Sequence, residues 1–104
     1  MDSDRILKLK DILEKDPADS FTMYALGLEY ASGLQYEDAR EIFEELLRTD
    51  PHYLGTYYQL GKVYESLEDT ATAKRIYEKG IFVATSQNDN HTKSELEQAI
   101  DELL

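Results

Sequence analysis

The residues that could take part in chemistry are two histidines and several pairs of adjacent acids. His52 follows a proline, His91 lies near the start of the last predicted helix, and neither has a metal-ligand spacing such as H-E-x-x-H. The adjacent acids fall on solvated faces of predicted helices: Glu37-Asp38, Glu44-Glu45 and Asp101-Glu102. The sequence has no cysteine, no G-x-S-x-G and no phosphate-binding or calcium-binding loop. We therefore expect a protein that is not an enzyme, with no catalytic residue, no cofactor and no metal.

The net charge of −11 limits the partners that this chain can have. The acids are concentrated in two segments: residues 20–50 carry 7 acidic and 2 basic residues, and residues 89–104 carry 5 and 1. Repulsion over a long range argues against nucleic acid and against anionic membrane surfaces. Two interpretations of the acids remain open. They form solvated helix faces that keep the protein soluble, or they attract a basic partner.

Hydrophobic patterning gives no sign of a membrane protein. The longest uninterrupted apolar run is 81–84, which is far too short to cross a bilayer. The first residues enter an amphipathic pattern directly, without the apolar core of a signal peptide. We therefore expect a cytoplasmic location.

An internal repeat organises the chain. When residues 16–50 are aligned with residues 50–84, at a shift of 34 positions, 11 of 35 positions are identical. The matched pairs include Gly27 with Gly61, and Phe43 is matched by the aromatic Tyr77. A fixed period of this length is typical of stacked helical hairpins that cannot bury their apolar faces alone.

Apolar residues at helical spacing predict about six helices joined by short turns, which makes consecutive helices antiparallel. The predicted helices cover residues 3–15, 20–32, 37–49, 53–66, 71–85 and 91–103. Asp16-Pro17 and Asp50-Pro51 end the first and third helices, because proline cannot continue a helix. Gly33 is expected to take the left-handed conformation after the second helix. Gly80 lies inside a predicted helix, so another helix is expected to come close to it.

These residues resemble the tetratricopeptide-repeat family, whose 34-residue pattern is W-x-x-L-G-x-x-Y, then A-x-x-x-F, then P. The first repeat has Met23-x-x-Leu26-Gly27-x-x-Tyr30, Ala39-x-x-x-Phe43 and Pro51. The second has Tyr57-x-x-Leu60-Gly61-x-x-Tyr64 and Ala73-x-x-x-Tyr77, with Thr85 in place of the proline. The departures from the pattern, Met23 for tryptophan, Leu46 for a small residue and Thr85 for proline, leave the fold prediction unchanged.

The resemblance implies an all-α fold, a right-handed α-α superhelix (solenoid) of about six antiparallel helices. It also implies one domain over residues 1–104, divided into four parts. These are a half-repeat helix at 3–15, repeat 1 at 20–50, repeat 2 at 54–84 and a C-terminal capping helix at 91–103.

In this family, the first helix of each repeat lines a concave groove that takes a peptide or a helix of a partner protein. Carried over to this chain, the resemblance implies partner-binding residues in both repeats: Phe21, Tyr24, Leu28, Tyr58, Gln59, Lys62 and Glu65. Some relatives bind the C-terminal carboxylate of heat-shock chaperones with basic residues and asparagine at such positions. Here Tyr24, Ala25 and Leu28 occupy such positions and only Lys62 is basic, so that activity is not expected.

Two functions follow as hypotheses. The first is an adaptor or scaffold that binds a protein or peptide partner in the groove. The second is a structural protein that forms a homodimer through its terminal helices, with Leu103 and Leu104 in the contact. For Phe21, Tyr24 and Leu28 there is also a purely structural alternative, in which they pack under the first or the last helix.

Overall fold

The computed structural model describes residues 3–103, and these contain six α-helices and no strand. The helices are α1 (Ser3–Lys15), α2 (Ser20–Ser32), α3 (Tyr36–Thr49), α4 (Gly55–Ser66), α5 (Thr70–Ser86) and α6 (Asn90–Asp101). The all-α prediction of six helices is confirmed. Leu104, to which the homodimer hypothesis assigned a contact, lies outside the described residues. The chain divides between Tyr53 and Leu54 into two compact units, unit 1 and unit 2.

In unit 1, α2 packs against α1 on one side and α3 on the other. The core residues include Met23, Leu26, Phe43 and Leu46, each of which is at most 4% exposed. Gly27 lies directly against the ring of Phe43, where an added Cβ would come within 3.0 Å of three ring atoms. The missing side chain therefore creates the space that the aromatic ring fills.

In unit 2, α5 packs against α4 and α6. Gly61 and Tyr77 repeat the relationship of Gly27 and Phe43. A second close approach occurs at Gly80, where a Cβ would lie 2.6 Å from Cβ of Tyr57 and 2.8 Å from Cδ1 of Leu96. The expectation that another helix comes close to Gly80 is therefore confirmed, and both neighbouring helices do so.

Aspartates cap the N-termini of three helices. The side chains of Asp19, Asp69 and Asp89 accept hydrogen bonds from the backbone amides of Thr22, Thr72 and Thr92. These bonds satisfy amides that have no partner inside the helix. α4 lacks such a cap, since Leu54 stands at its N-cap position and makes no side-chain hydrogen bond to the helix. In unit 1, the hydroxyl of Ser20 also donates to the carboxylate of Asp50 at 2.6 Å, which ties the start of α2 to the end of α3.

The prediction for Gly33 was wrong by one residue. Gly33 has φ −89°, and the left-handed residue is Leu34, with φ 61°. The amide of Gln35 donates to the carbonyl of Tyr30 and that of Leu34 to Ala31, which is the Schellman pattern with Leu34 in the left-handed position. α4 and α5 end in the same way, with Glu68 (φ 62°) and Asn88 (φ 58°) in that position.

Candidate functional site

One face of α2 presents the three residues predicted for partner binding in repeat 1. Phe21, Tyr24 and Leu28 are spaced three and four residues apart, so they share a face of the helix. Phe21 is 69% exposed, whereas Tyr24 and Leu28 are half-buried. We call these three residues the α2 face. Since Phe21 is mostly exposed, burial inside unit 1 does not explain why an aromatic residue occupies this position.

Tyr24 is held in place by two other aromatic rings of unit 1. Its ring centroid lies 6.1 Å from that of Phe43 and 5.3 Å from that of Tyr53, and both pairs are tilted. Such contacts stabilise aromatic pairs beyond the area that they bury. Burial, with the nearby Tyr24, Asp50 and Asp19, raises the pKa of Tyr53. Sequence reasoning placed Tyr53 at the start of the fourth predicted helix and gave it no role, whereas α4 begins at Gly55 and Tyr53 lies in the turn before it.

The four residues predicted for partner binding in repeat 2 all lie on α4. Tyr58, Lys62 and Glu65 share one face, and Gln59, next to Tyr58, is half-buried. The ammonium of Lys62 lies 5.4 Å from the ring centroid of Tyr58 and 3.6 Å from a carboxylate oxygen of Glu65. The three side chains therefore form one connected group, in which the cation contacts both an aromatic ring and an acid.

Tyr77 connects this group to the core of unit 2. Its buried hydroxyl donates a short hydrogen bond to Glu65, and its ring lies 6.3 Å from that of Tyr58. Burial is the main reason why the pKa of Tyr77 lies far above its usual range, and the bond to Glu65 raises that pKa further. The phenol therefore remains a donor at neutral pH and fixes the position of Glu65.

Sequence reasoning missed a small cavity between α4 and α6. It measures about 110 Å³, and Tyr58 of α4 lines it together with three residues of α6 and the C-cap residue of that helix: Glu95, Gln98, Ala99 and Glu102. A signal for these residues does exist in the sequence. Asp89 and Thr92 cap α6 as Asp19 and Thr22 cap α2, which is a shift of 70 residues (89 − 19). At that shift, Gln98 aligns with Leu28 of the α2 face.

The described residues contain no candidate metal site. Within residues 3–103, no group of three or more His, Cys, Asp or Glu side chains could hold a metal ion. Both His52 and His91 are exposed. His91 lies 3.8 Å from Glu95, one turn further along the same helix. In the same part of the chain, no helix is long and apolar enough to cross a membrane.

Comparisons with known proteins give consistent matches. A family model described as tetratricopeptide repeat matches residues 54–81. Among characterised sequences, the chain is 26% identical over 88 residues to the TPR repeat-containing protein PA0015 of Pseudomonas aeruginosa. That alignment covers 85% of this chain and 84% of the relative.

Two solved structures are also similar to this chain. The solution structure of a tetratricopeptide repeat domain protein from Salinibacter ruber is 44% identical, with a TM-score of 0.80. The match covers 85% of this chain and 89% of that one. Protein BPP2914 from Bordetella parapertussis is 26% identical, with a TM-score of 0.83, and the match covers 94% of this chain and 85% of that one.

Proposed function

The chain belongs to the tetratricopeptide-repeat family, and from that premise we propose that it is a non-catalytic adaptor that binds a segment of another protein. The resemblance that the repeated motifs indicated is thereby confirmed. Tetratricopeptide repeats are generally protein-interaction modules without catalytic activity. In this proposal, the first helix of each repeat contacts the partner. Unit 1 contributes the α2 face, and unit 2 contributes the connected side chains of Tyr58, Lys62 and Glu65.

The observation that carries the proposal is the exposed ring of Phe21 on the α2 face. At 69% exposure this ring contributes little to the core of unit 1, and Tyr24 beside it is already fixed by Phe43 and Tyr53. An aromatic side chain held in one orientation loses little conformational entropy on binding, and aromatic residues are enriched among interface residues with large energetic effects. The α2 face therefore suits an apolar side chain of a partner.

Cross-linking from single positions tests this proposal. A photoreactive phenylalanine analogue replaces Phe21 in one protein and Phe82 in another. Phe82 is a matched control because it is 77% exposed but lies on α5. In a lysate of the source organism, we expect a discrete protein adduct from position 21 that excess unmodified protein suppresses, and no such adduct from position 82.

The binding constant of the identified partner completes the test. Phe21→Ser should weaken binding about tenfold, as expected for loss of an aromatic contact, whereas Phe82→Ser should leave it unchanged. Equal adducts from both positions, or equal affinity of both serine variants, would refute the assignment of the α2 face.

A second candidate function is self-association through α1. Leu7 and Ile12 of this helix are 62% and 44% exposed. Two α1 helices packed antiparallel, with the centre between residues 9 and 10, would place Lys8 opposite Asp11 of the second copy. Opposite charges would then meet at the centre of the pair, which favours this orientation.

Sedimentation velocity at several protein concentrations distinguishes the two candidates. Self-association through α1 predicts a dimer that Lys8→Asp weakens and that Lys8→Asp combined with Asp11→Lys restores. A monomer at every concentration removes this candidate and leaves the adaptor proposal unaffected.

A further inference from the structure

We propose that the cavity between α4 and α6 binds one basic side chain of the partner, with arginine preferred to lysine. This inference rests on the proposed function and adds to it the chemistry that the partner must supply. The site lies entirely within unit 2, and three of its residues, Glu95, Gln98 and Glu102, were not among those that the family resemblance implied.

The shape of the cavity suits the end of a long side chain. Its volume of about 110 Å³ is too small for a helix or a folded segment. Tyr58 forms one side. The rest of the lining comes from successive turns of α6 and from its C-cap residue: Glu95, Gln98, Ala99 and Glu102. Ala99 is 3% exposed, so the cavity ends at the packed core of unit 2 and does not continue through it.

The charges of the lining residues select a cation. Glu95 and Glu102 are both exposed carboxylates, and no lysine or arginine lines the cavity. Gln98 adds an amide oxygen that can accept a hydrogen bond. An acidic side chain would be repelled here, and an apolar one would gain nothing from the two carboxylates.

Tyr58 already contacts a cation within this protein. The ammonium of Lys62 lies 5.4 Å from its ring centroid, and Glu65 neutralises that ammonium at 3.6 Å. A tyrosine ring together with a carboxylate therefore forms a cation site on α4. The cavity offers the same ring together with two carboxylates of α6 that no lysine or arginine of the lining compensates.

Arginine matches this arrangement better than lysine does. Its planar guanidinium can stack on an aromatic ring and still present donors at its edge to carboxylates. Arginine also holds its hydration shell less tightly than lysine does, so entering a partly enclosed site costs less. An extended partner segment with arginine at one position would satisfy the cavity.

A minimal probe tests the cavity without a natural partner. Capped tripeptides with arginine, lysine or glutamine between two glycines are titrated into ¹⁵N-labelled protein at one fixed pH. We expect saturable amide shifts at Tyr58, Gln98 and Glu102 with the arginine probe, at a Kd in about the millimolar range. Lysine should bind more weakly, and glutamine should produce no saturable shift.

Matched variants assign the effect to the lining residues. The double substitution Glu95→Gln and Glu102→Gln should weaken arginine binding about tenfold. Glu97→Gln, which removes one negative charge from the opposite face of α6, should leave the Kd nearly unchanged, and each of the single variants Glu95→Gln and Glu102→Gln should weaken binding more than it does. Lys62→Met removes the cation over the Tyr58 ring and should strengthen binding, a result that a purely structural role of Lys62 does not predict.

The inference would be overturned by saturable shifts of equal size with the glutamine probe, or by an equal loss of affinity in the Glu97→Gln variant and the double variant. Absence of any shift at the cavity would overturn it as well. None of these results bears on the α2 face, because cross-linking from position 21 tests that surface in unit 1 by a different measurement.

Discussion

Gly61 and Tyr77 share one small volume of unit 2, because an added Cβ on Gly61 would come within 3.0 Å of three atoms of the Tyr77 ring. Unit 1 contains the same relationship between Gly27 and Phe43. The family motif thus has a direct physical meaning in this chain. The glycine of the first helix and the aromatic residue of the second are two halves of one packing contact.

Gly61→Ala should lower the free energy of unfolding by about 2 kcal/mol, because overpacking outweighs the better helix propensity of alanine. Urea unfolding followed by circular dichroism measures the change. In a Tyr77→Leu background, which removes the ring atoms in the way, the same substitution should cost much less. If Gly61→Ala lowered the free energy of unfolding equally in both backgrounds, the Tyr77 ring would not be the cause of the destabilisation.

Leu34→Gly should raise the free energy of unfolding by about 1 kcal/mol, since Leu34 holds a left-handed conformation that glycine adopts without steric cost. Leu34 is 71% exposed, so little apolar burial is lost. Asn88→Gly is the control with the same geometry. Because asparagine tolerates this conformation, its gain should be smaller. A loss of stability at position 34 would contradict the explanation.

Thr22 and Thr56 occupy equivalent positions of the two repeats, and their hydroxyls differ in bonding. The Thr22 hydroxyl donates to Asp19 at 2.9 Å, whereas that of Thr56 is fully buried with no hydrogen-bond partner among the described residues. Thr56→Val should therefore raise the free energy of unfolding by about 1 kcal/mol, and Thr22→Val should lower it by a similar amount. Thermal and urea unfolding of both variants measure this difference, and a change of the same sign in both would refute it.

Alkaline unfolding should depend on Tyr77. Its pKa is higher in the folded protein than in the unfolded chain, so it contributes stability that is fully present below the unfolded pKa of about 10. That contribution is lost as the pH rises above 10 toward the folded value, because the unfolded chain then releases a proton that the folded protein keeps. Stability of the wild type should therefore fall more steeply above pH 10 than that of Tyr77→Phe, as urea unfolding at a series of pH values would measure.

At neutral pH, Tyr77→Phe should cost about 1–2 kcal/mol, because Glu65 loses a hydrogen bond. Tyr36→Phe is the control for removing a tyrosine hydroxyl, because Tyr36 is a half-buried tyrosine at the start of α3. If stability fell equally steeply above pH 10 in the wild type and in Tyr77→Phe, Tyr77 would not be the cause of the alkaline unfolding.

The sequence predicted the helices well because their signals are local. Apolar spacing and the two Asp-Pro pairs placed most helix ends within one or two residues of Ser20–Ser32, Tyr36–Thr49 and the others. The left-handed residue at the end of α2 was misplaced because glycine preference was the only guide. The hydrogen bond from Gln35 to Tyr30 determines which residue turns, and it selects Leu34.

The candidate surfaces were less predictable than the helices. Phe21, Tyr24 and Leu28 could be placed on one face from their spacing, but not their exposure, which depends on what packs nearby. Tyr53 was predicted as the first residue of a helix, and its contact with Tyr24 depends on the turn that precedes α4 instead. The residues at the end of the chain that line the cavity were missed because residues 91–103 were assigned as a capping helix, and partner-binding residues were carried over to the two full repeats alone.

The packing of each unit has a consequence for how fast the chain folds. Within each unit, the helices that pack together follow one another in sequence, α1 with α2 with α3 and α4 with α5 with α6. No long loop must close before an apolar contact forms, so the contact order is low. Chains of this kind reach the native state in about microseconds to milliseconds, which leaves exposed apolar surface little time to aggregate.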